Sequence, residues 1–241
     1  MEEITYPIRI NRYLFLKGYC SRRKADTLIS EGKVHINNKV AVLGSQVQKT
    51  DKVSLAPDVR ALPKGYSYYL YHKPRGVVSH NPQKGEKSVE DVAGIKKKVS
   101  PVGRLDKDSR GLMLLTDDGR IVNTLLNPDF AHTREYRVTA DKRMKDGDLK
   151  RLARGVSIEG YKTRAATVSR VNDSTVDMTL IEGKKHQIRR MFAALGYQVT
   201  DLMRTRISNF SVKGLEEGSH RELSEKERAK FLKELDIPTP N

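Results

Sequence analysis

Gly103-Arg104-Leu105-Asp106-Lys107-Asp108-Ser109-Arg110-Gly111-Leu112 places two carboxylates and three cationic side chains between two glycines, just ahead of the apolar run 112–115. Read by itself, Asp106 is a turn residue beside nearby arginines, because aspartate closes turns by bonding its own backbone. Its company along the chain suggests more. Lys73-Pro74-Arg75-Gly76-Val77-Val78-Ser79 precedes it, and Arg134-Glu135-Tyr136 and Lys185-His186-Gln187-Ile188-Arg189-Arg190-Met191 follow in that order.

Outward from this loop, β-branched and aromatic runs predict strands at 68–71, 76–79, 112–116, 135–138, 166–171 and 176–181. Helices are expected over 121–126, 145–154 and 187–195, with a last one after Ser224, whose spacing to Glu227 makes a capping box. Residues 67–241 therefore predict an α+β domain built on a substantial mixed sheet. Residues 59–66 read as a linker. Residues 8–58 read as a small α-plus-β module. There Ile10, Tyr13 and Leu14 give helical spacing, Ser21 is an N-cap, and Ala25, Leu28 and Ile29 line a second helix that ends at Gly32. Val34 and Ile36, the Asn37-Asn38 turn, then Val40 and Val42 predict a hairpin.

Charge narrows the function. The 241 residues carry 46 Lys and Arg against 30 Asp and Glu, a formal net charge of +16. The excess is concentrated: residues 8–43 hold eight cations and two acids, and 176–213 hold seven and three. Such clustering points to a polyanion, because neutralising phosphates releases counterions. One cysteine, Cys20, excludes an intrachain disulfide and a multi-cysteine zinc site. No two glycines stand closer than four residues, so no dinucleotide-binding glycine pair exists, and the six histidines lack metal-ligand spacing. No apolar run is long enough for a membrane span, and the acidic start, Met1-Glu2-Glu3-Ile4, lacks the features of a signal peptide. The simple expectation is a cytosolic protein without cofactor or metal.

Two resemblances carry these readings further. Arg9-Ile10-Asn11-Arg12-Tyr13-Leu14, Gly18 through Asp26 and Gly32 through Asn37 resemble the S-four RNA-binding domain. That likeness implies RNA contacts at Arg9, Arg12, Lys17, Ser21, Arg22, Arg23, Lys24 and Lys33. The four motifs of the larger domain resemble the pseudouridine synthase superfamily, in its RsuA/RluB/RluF branch, and the stretch 204–214 resembles the RluF-like members. The family implies a mainly antiparallel mixed sheet, Asp106 as catalytic carboxylate, and Arg189 as its cationic partner. It implies Tyr136 stacked on the target base and Arg104 filling the gap left by a flipped uridine. Lys73, His186 and Arg190 join the substrate-binding set, and Lys184 and Lys185 the phosphate contacts, although 73–76 also reads as a structural turn. Uridine isomerisation gains no atoms and needs no redox cofactor or metal. The implied partner is ribosomal RNA, large-subunit favoured, with tRNA as a further substrate and a monomeric enzyme. Two other classes stay open on the residues alone: a non-catalytic RNA-binding factor, and a magnesium-dependent nuclease using Asp106, Asp108, Asp117 and Asp118.

Overall fold

A computed structural model describes residues 5–59, 65–130 and 132–237. They divide into two compact units: 67–117 with 122–231, and a smaller one made of the described residues up to Tyr66, 118–121 and those from Leu232 onward. Most of the expected 59–66 linker, residues 60–64, lies outside the described residues.

The smaller unit runs β1 (Ile8–Arg9), α1 (Ile10–Leu16), α2 (Arg22–Ser30), β2 (Val34–Ile36), β3 (Lys39–Val40), β4 (Gln46–Val47) and β5 (Val53–Leu55). Ile10 and Leu14 of α1 are buried with Ala25, Leu28 and Ile29 of α2, as their spacing requires. The Ser21 hydroxyl accepts the Lys24 N–H at 3.3 Å and caps α2. Asn37 and Asn38 both take positive φ (50° and 66°), which the two-residue turn between β2 and β3 demands. The hairpin is shorter than expected. Val42 lies beyond β3 because its N–H donates to Ser45 Oγ at 3.0 Å, bending the chain away from the strand.

The larger unit continues with β6 (Tyr68–Lys73), α3 (Val89–Val92), β7 (Ser100–Pro101), β8 (Arg110–Thr116), α4 (Arg120–Leu126, across the boundary), β9 (Arg134–Ala140) and α5 (Asp146–Arg154). Then follow β10 (Ser157–Ile158), β11 (Tyr161–Lys162), β12 (Thr167–Arg170), β13 (Thr175–Leu180), α6 (Gln187–Ala193), β14 (Val199–Ile207), β15 (Phe210–Ser211), β16 (His220–Glu222) and α7 (Glu225–Glu234). A nine-stranded mixed sheet has the order β12-β13-β9-β14-β8-β6-β16, with β7 on β8 and β15 on β14. Among its pairings only β8 with β14 is parallel, so the sheet is mainly antiparallel, as expected. All of β6 and 111–116 of β8 are buried, which is why these strands read as unbroken apolar runs rather than alternations. The core gathers Tyr71, Met113, Val138, Met178, Met191 and Phe192.

Two expectations need correction. Residues 76–79 form no strand: Gly76 turns at φ 82°, Val78 makes one bridge to Ser88, and the Ser79 hydroxyl is engaged elsewhere. The central strand β14 has no counterpart among the expected ones. Its register shifts at Val199/Asp201 and at Arg204/Arg206, so the two-residue burial period by which strands are recognised holds only over 202–205, where a buried arginine takes one of the inward positions.

Candidate active site

The 102–109 loop ahead of β8 carries Asp106, and the sheet holds it from beneath. Lys73, the last residue of β6, is wholly buried. Its ammonium donates to the carbonyls of Ser109 at 2.7 Å, Pro74 at 2.9 Å and Lys107 at 3.3 Å. Burial pulls Lys73 down to about 8, against the opposing pull of Asp106 and Asp108. The buried Ser79 hydroxyl donates to Leu105 O at 2.7 Å and accepts the Leu105 N–H at 2.9 Å. The Ser109 N–H donates to Asp106 O at 3.0 Å. The backbone on both sides of Asp106 is thereby immobilised. Lys73 therefore supports the loop and does not line the cleft, contrary to the substrate-binding role expected for it.

A pH dependence follows for Lys73. Its folded-state value lies below the ordinary lysine 10.5, so above about pH 8 the unfolded chain binds more protons and stability from this group rises with pH up to about 10.5. Subtracting the pH–stability curve of a Lys73→Met variant from that of the wild type is expected to leave a rise confined to this window. A flat difference would show that the ammonium is not desolvated.

Asp106 opens onto a cleft of about 390 Å³ whose walls include Arg104, Arg134, Tyr136, His186 and Arg204. Its carboxylate is 32% exposed, with His186 Nε2 at 3.4 Å from Oδ1 and Arg189 Nε at 3.9 Å from Oδ2. At that distance and exposure the Arg189 contact contributes about 0–1 kcal/mol. Arg189 works chiefly as a brace: its guanidinium donates to Val199 O and Asp108 O at 3.1 Å and to Ser109 Oγ at 3.3 Å, tying α6 to the loop. His186 takes a left-handed backbone (φ 52°) just ahead of α6, a conformation that non-glycine residues adopt at a cost.

The second acid in the wall, Glu182, is buried and triply hydrogen-bonded. It accepts from Tyr161 Oη at 2.5 Å, Gln187 Nε2 at 2.7 Å and the Arg164 N–H at 3.0 Å. Gln187 in turn accepts the Lys184 N–H at 2.8 Å, shaping the turn before α6. By contrast, no hydrogen bond among the described residues uses the Asp106 carboxylate, so its lone pairs face the cleft uncommitted. Arg104, Lys184 and Lys185 are exposed at the rim, and Arg104 enters no ion pair among the described residues. Arg190 points elsewhere: its guanidinium pairs with Glu159 at 2.6 Å and it does not line the cleft. Sequence reasoning missed Ser79, Arg134, Glu182, Gln187 and Arg204. Ser79, Arg134 and Gln187 sit inside quoted motifs and Arg204 opens the stretch 204–214; nothing in sequence marks Glu182.

Asp117 and Asp118 have structural partners. Asp117 accepts the Ser67 N–H at 2.7 Å, and the fully buried Asp118 takes Arg120 through both oxygens at 2.8 Å. In the smaller unit Arg9, Arg12, Arg22, Arg23 and Lys24 are exposed without ion-pair partners among the described residues. Lys17 lies 5.9 Å from the Tyr13 ring centre. Lys33, in contrast, is matched by Asp58 at 3.0 Å and Glu31 at 3.3 Å, so it offers little charge to a partner, and Ser21 spends its hydroxyl on the helix cap. No helix of the described residues is long and apolar enough to cross a membrane.

The chain is an RNA-modifying isomerase by family: residues 67–194 match the model of the RNA pseudouridylate synthase family, and the chain belongs to that family. Residues 8–53 match the S4 domain. The chain is 36% identical over 228 residues to the dual-specificity RNA pseudouridine synthase RluF of Escherichia coli K12, covering 94% of this chain and 79% of that protein. It is 35% identical over 225 residues to the ribosomal large subunit pseudouridine synthase B of Bacillus subtilis 168, covering 90% and 92%. A crystal structure of a pseudouridylate synthase superposes with TM-score 0.68 at 27% identity, over 95% of this chain and 99% of the other.

Proposed function

We propose that this enzyme isomerises a specific uridine of ribosomal RNA, in the large subunit, and that Asp106 is the reacting carboxylate. The observation that carries the second part is the contrast between two acids in one cleft. Glu182 has its oxygens occupied by three donors, whereas Asp106 keeps its lone pairs free beside Tyr136 and Arg104. A carboxylate that attacks sugar or base, or that takes a proton, needs those lone pairs. The substrate assignment is supported by the relatives, one of which carries the large subunit in its name.

In this reading the uridine leaves its stack at a cost of about a few kcal/mol. Arg104 occupies the gap and Tyr136 stacks on the base. Rim cations, Lys184 and Lys185 with His186, hold the phosphates, contacts that position RNA without reading its sequence. The exposed cations of α1 and α2 dock the enzyme on structured RNA.

The test is to incubate the chain separately with unmodified large-subunit RNA, small-subunit RNA and tRNA, each in excess EDTA and in magnesium, and to map pseudouridine chemically. One or two new sites are expected. New sites in small-subunit RNA or tRNA alone would overturn the substrate assignment, bound but unmodified RNA would favour a binding factor, and cleavage seen in magnesium and abolished by EDTA would favour a nuclease. For docking, the triple variant Arg22→Ala, Arg23→Ala, Lys24→Ala is expected to weaken RNA binding. Its salt dependence should flatten by about 0.7–0.9 log units for each phosphate no longer neutralised. An unchanged slope would make these helices a merely solvated face.

A further inference from the structure

The cleft grades from an exposed rim to a buried floor, and the floor carries charge to which the proposed chemistry has so far given no task. Arg204 is 3% exposed and Arg134 is 7% exposed. Both line the cleft, and among the described residues neither has a carboxylate within ion-pairing distance. Arg204 Nε donates to Leu112 O at 2.7 Å, but its Nη2 is buried with no hydrogen-bond partner among the described residues. Arg134 Nη2 donates to Leu125 O at 2.8 Å. Burial draws Arg134 below the ordinary arginine range, and the neighbouring charge of Arg204 lowers it further. Buried cations are ordinarily paired, and an orphaned donor calls for a reason.

Sheet register brings these groups to the base site. Arg204 on β14 stands directly opposite Tyr136 on β9, and Arg134 lies two residues from Tyr136 on the same face. Two desolvated guanidinium groups therefore flank the tyrosine assigned to stack on the uracil. A backbone phosphate belongs at the rim, where the exposed cations are. The flipped base goes deepest, and an intact uracil is neutral.

We propose that Arg204, assisted by Arg134, stabilises the negative charge that the uracil carries while detached from the ribose. When the N1–C1′ bond breaks, its electron pair leaves with the base and spreads over N1, O2 and O4. C1′ is then taken by the Asp106 carboxylate, or the C2′ proton passes to Asp106 and a C1′–C2′ double bond forms. After the base turns, C5 supplies the pair for the new C5–C1′ bond while the C1′–oxygen bond to Asp106 breaks and frees the carboxylate, or while Asp106 returns its proton to C2′. The carboxylate then takes the C5 proton and N1 gains one from water. Donors directed at a charge absent from both substrate and product act on the transition states rather than on binding. The inference rests on the uridine-isomerising reading of this cleft.

The test compares full-length wild type with Arg204→Met and Arg204→Lys, using RNA that carries uridine or 5-fluorouridine at the modified position. With uridine, Arg204→Met is expected to lose about 10²-fold or more in single-turnover rate, the effect of deleting one preorganised donor, with unchanged RNA affinity. Fluorine withdraws charge from the detached base, so the deficit in 5-fluorouridine consumption is expected to be at least about tenfold smaller. Arg204→Lys keeps a donor for Leu112 O and is expected to show the same narrowing if the methionine variant fails to fold. An equal deficit on both substrates would overturn the proposal in favour of a structural role, and loss of affinity with an intact rate would overturn it in favour of phosphate binding. Absence of pseudouridine from the wild type would overturn the reading of the cleft, and this inference with it.

Discussion

Asp106→Asn is expected to lower the single-turnover rate of pseudouridine formation by about 10⁴-fold, the upper end of what a positioned acid–base group supplies, with RNA affinity unchanged. Asparagine keeps the volume and the anchored backbone, since Lys73, Ser79 and Ser109 grip the main chain and not the carboxylate. What it removes is the charge and the free lone pairs. Affinity persists because the exposed cations at the rim and on α1 and α2 are untouched. A variant that retained substantial activity would transfer the chemistry away from Asp106. Glu182, the other acid of the cleft, is then the group to substitute, although three donors already occupy it.

Gly111→Ala is expected to destabilise the larger unit by more than about 4 kcal/mol, in the range reserved for a named structural failure. Gly111 sits at φ 113°, and a Cβ there would lie 2.3 Å from Arg204 O and 2.5 Å from Arg204 N, both backbone atoms of β14. Neither strand can yield, because β8 is clamped on its other side by β6 and β14 by β9. Gly214→Ala is the matched control: it also has positive φ (79°) but nothing within 4 Å of the added carbon. It should cost only the left-handed penalty of about 1–2 kcal/mol. Equal shifts in the denaturant midpoint for the two variants would show that the β8–β14 approach is not sterically limiting.

Much of the secondary structure was legible because its signals are local. The Ser21 cap, the Asn37-Asn38 turn, the apolar runs of β6 and β8 and the Ser224–Glu227 box each lie within a few residues, and each is found where expected. The site was legible only in part. Asp106, Tyr136 and His186 sit in motifs and meet in one cleft. Lys73 and Arg190 sit in the same motifs, yet one is buried under the loop and the other is held by Glu159, because a motif records residue types and not where side chains go.

By itself, then, the sequence determined the two-part α+β organisation, the basic helix pair, the type of most elements and the loop that presents Asp106, since helical period, strand alternation, caps and turns are set by neighbouring residues. Tertiary structure alone decided the rest. It set β14 at the centre of the sheet, where two register shifts confine the alternation to four residues. It bonded Ser79 to Leu105 and Arg204 to Leu112, 26 and 92 residues apart. It gave Glu182 three hydrogen-bond donors and left the Asp106 carboxylate with only the longer contacts to His186 and Arg189. These outcomes depend on which buried donors and acceptors meet across the sheet, and hydrogen-bond satisfaction between distant segments leaves no periodic trace in the chain.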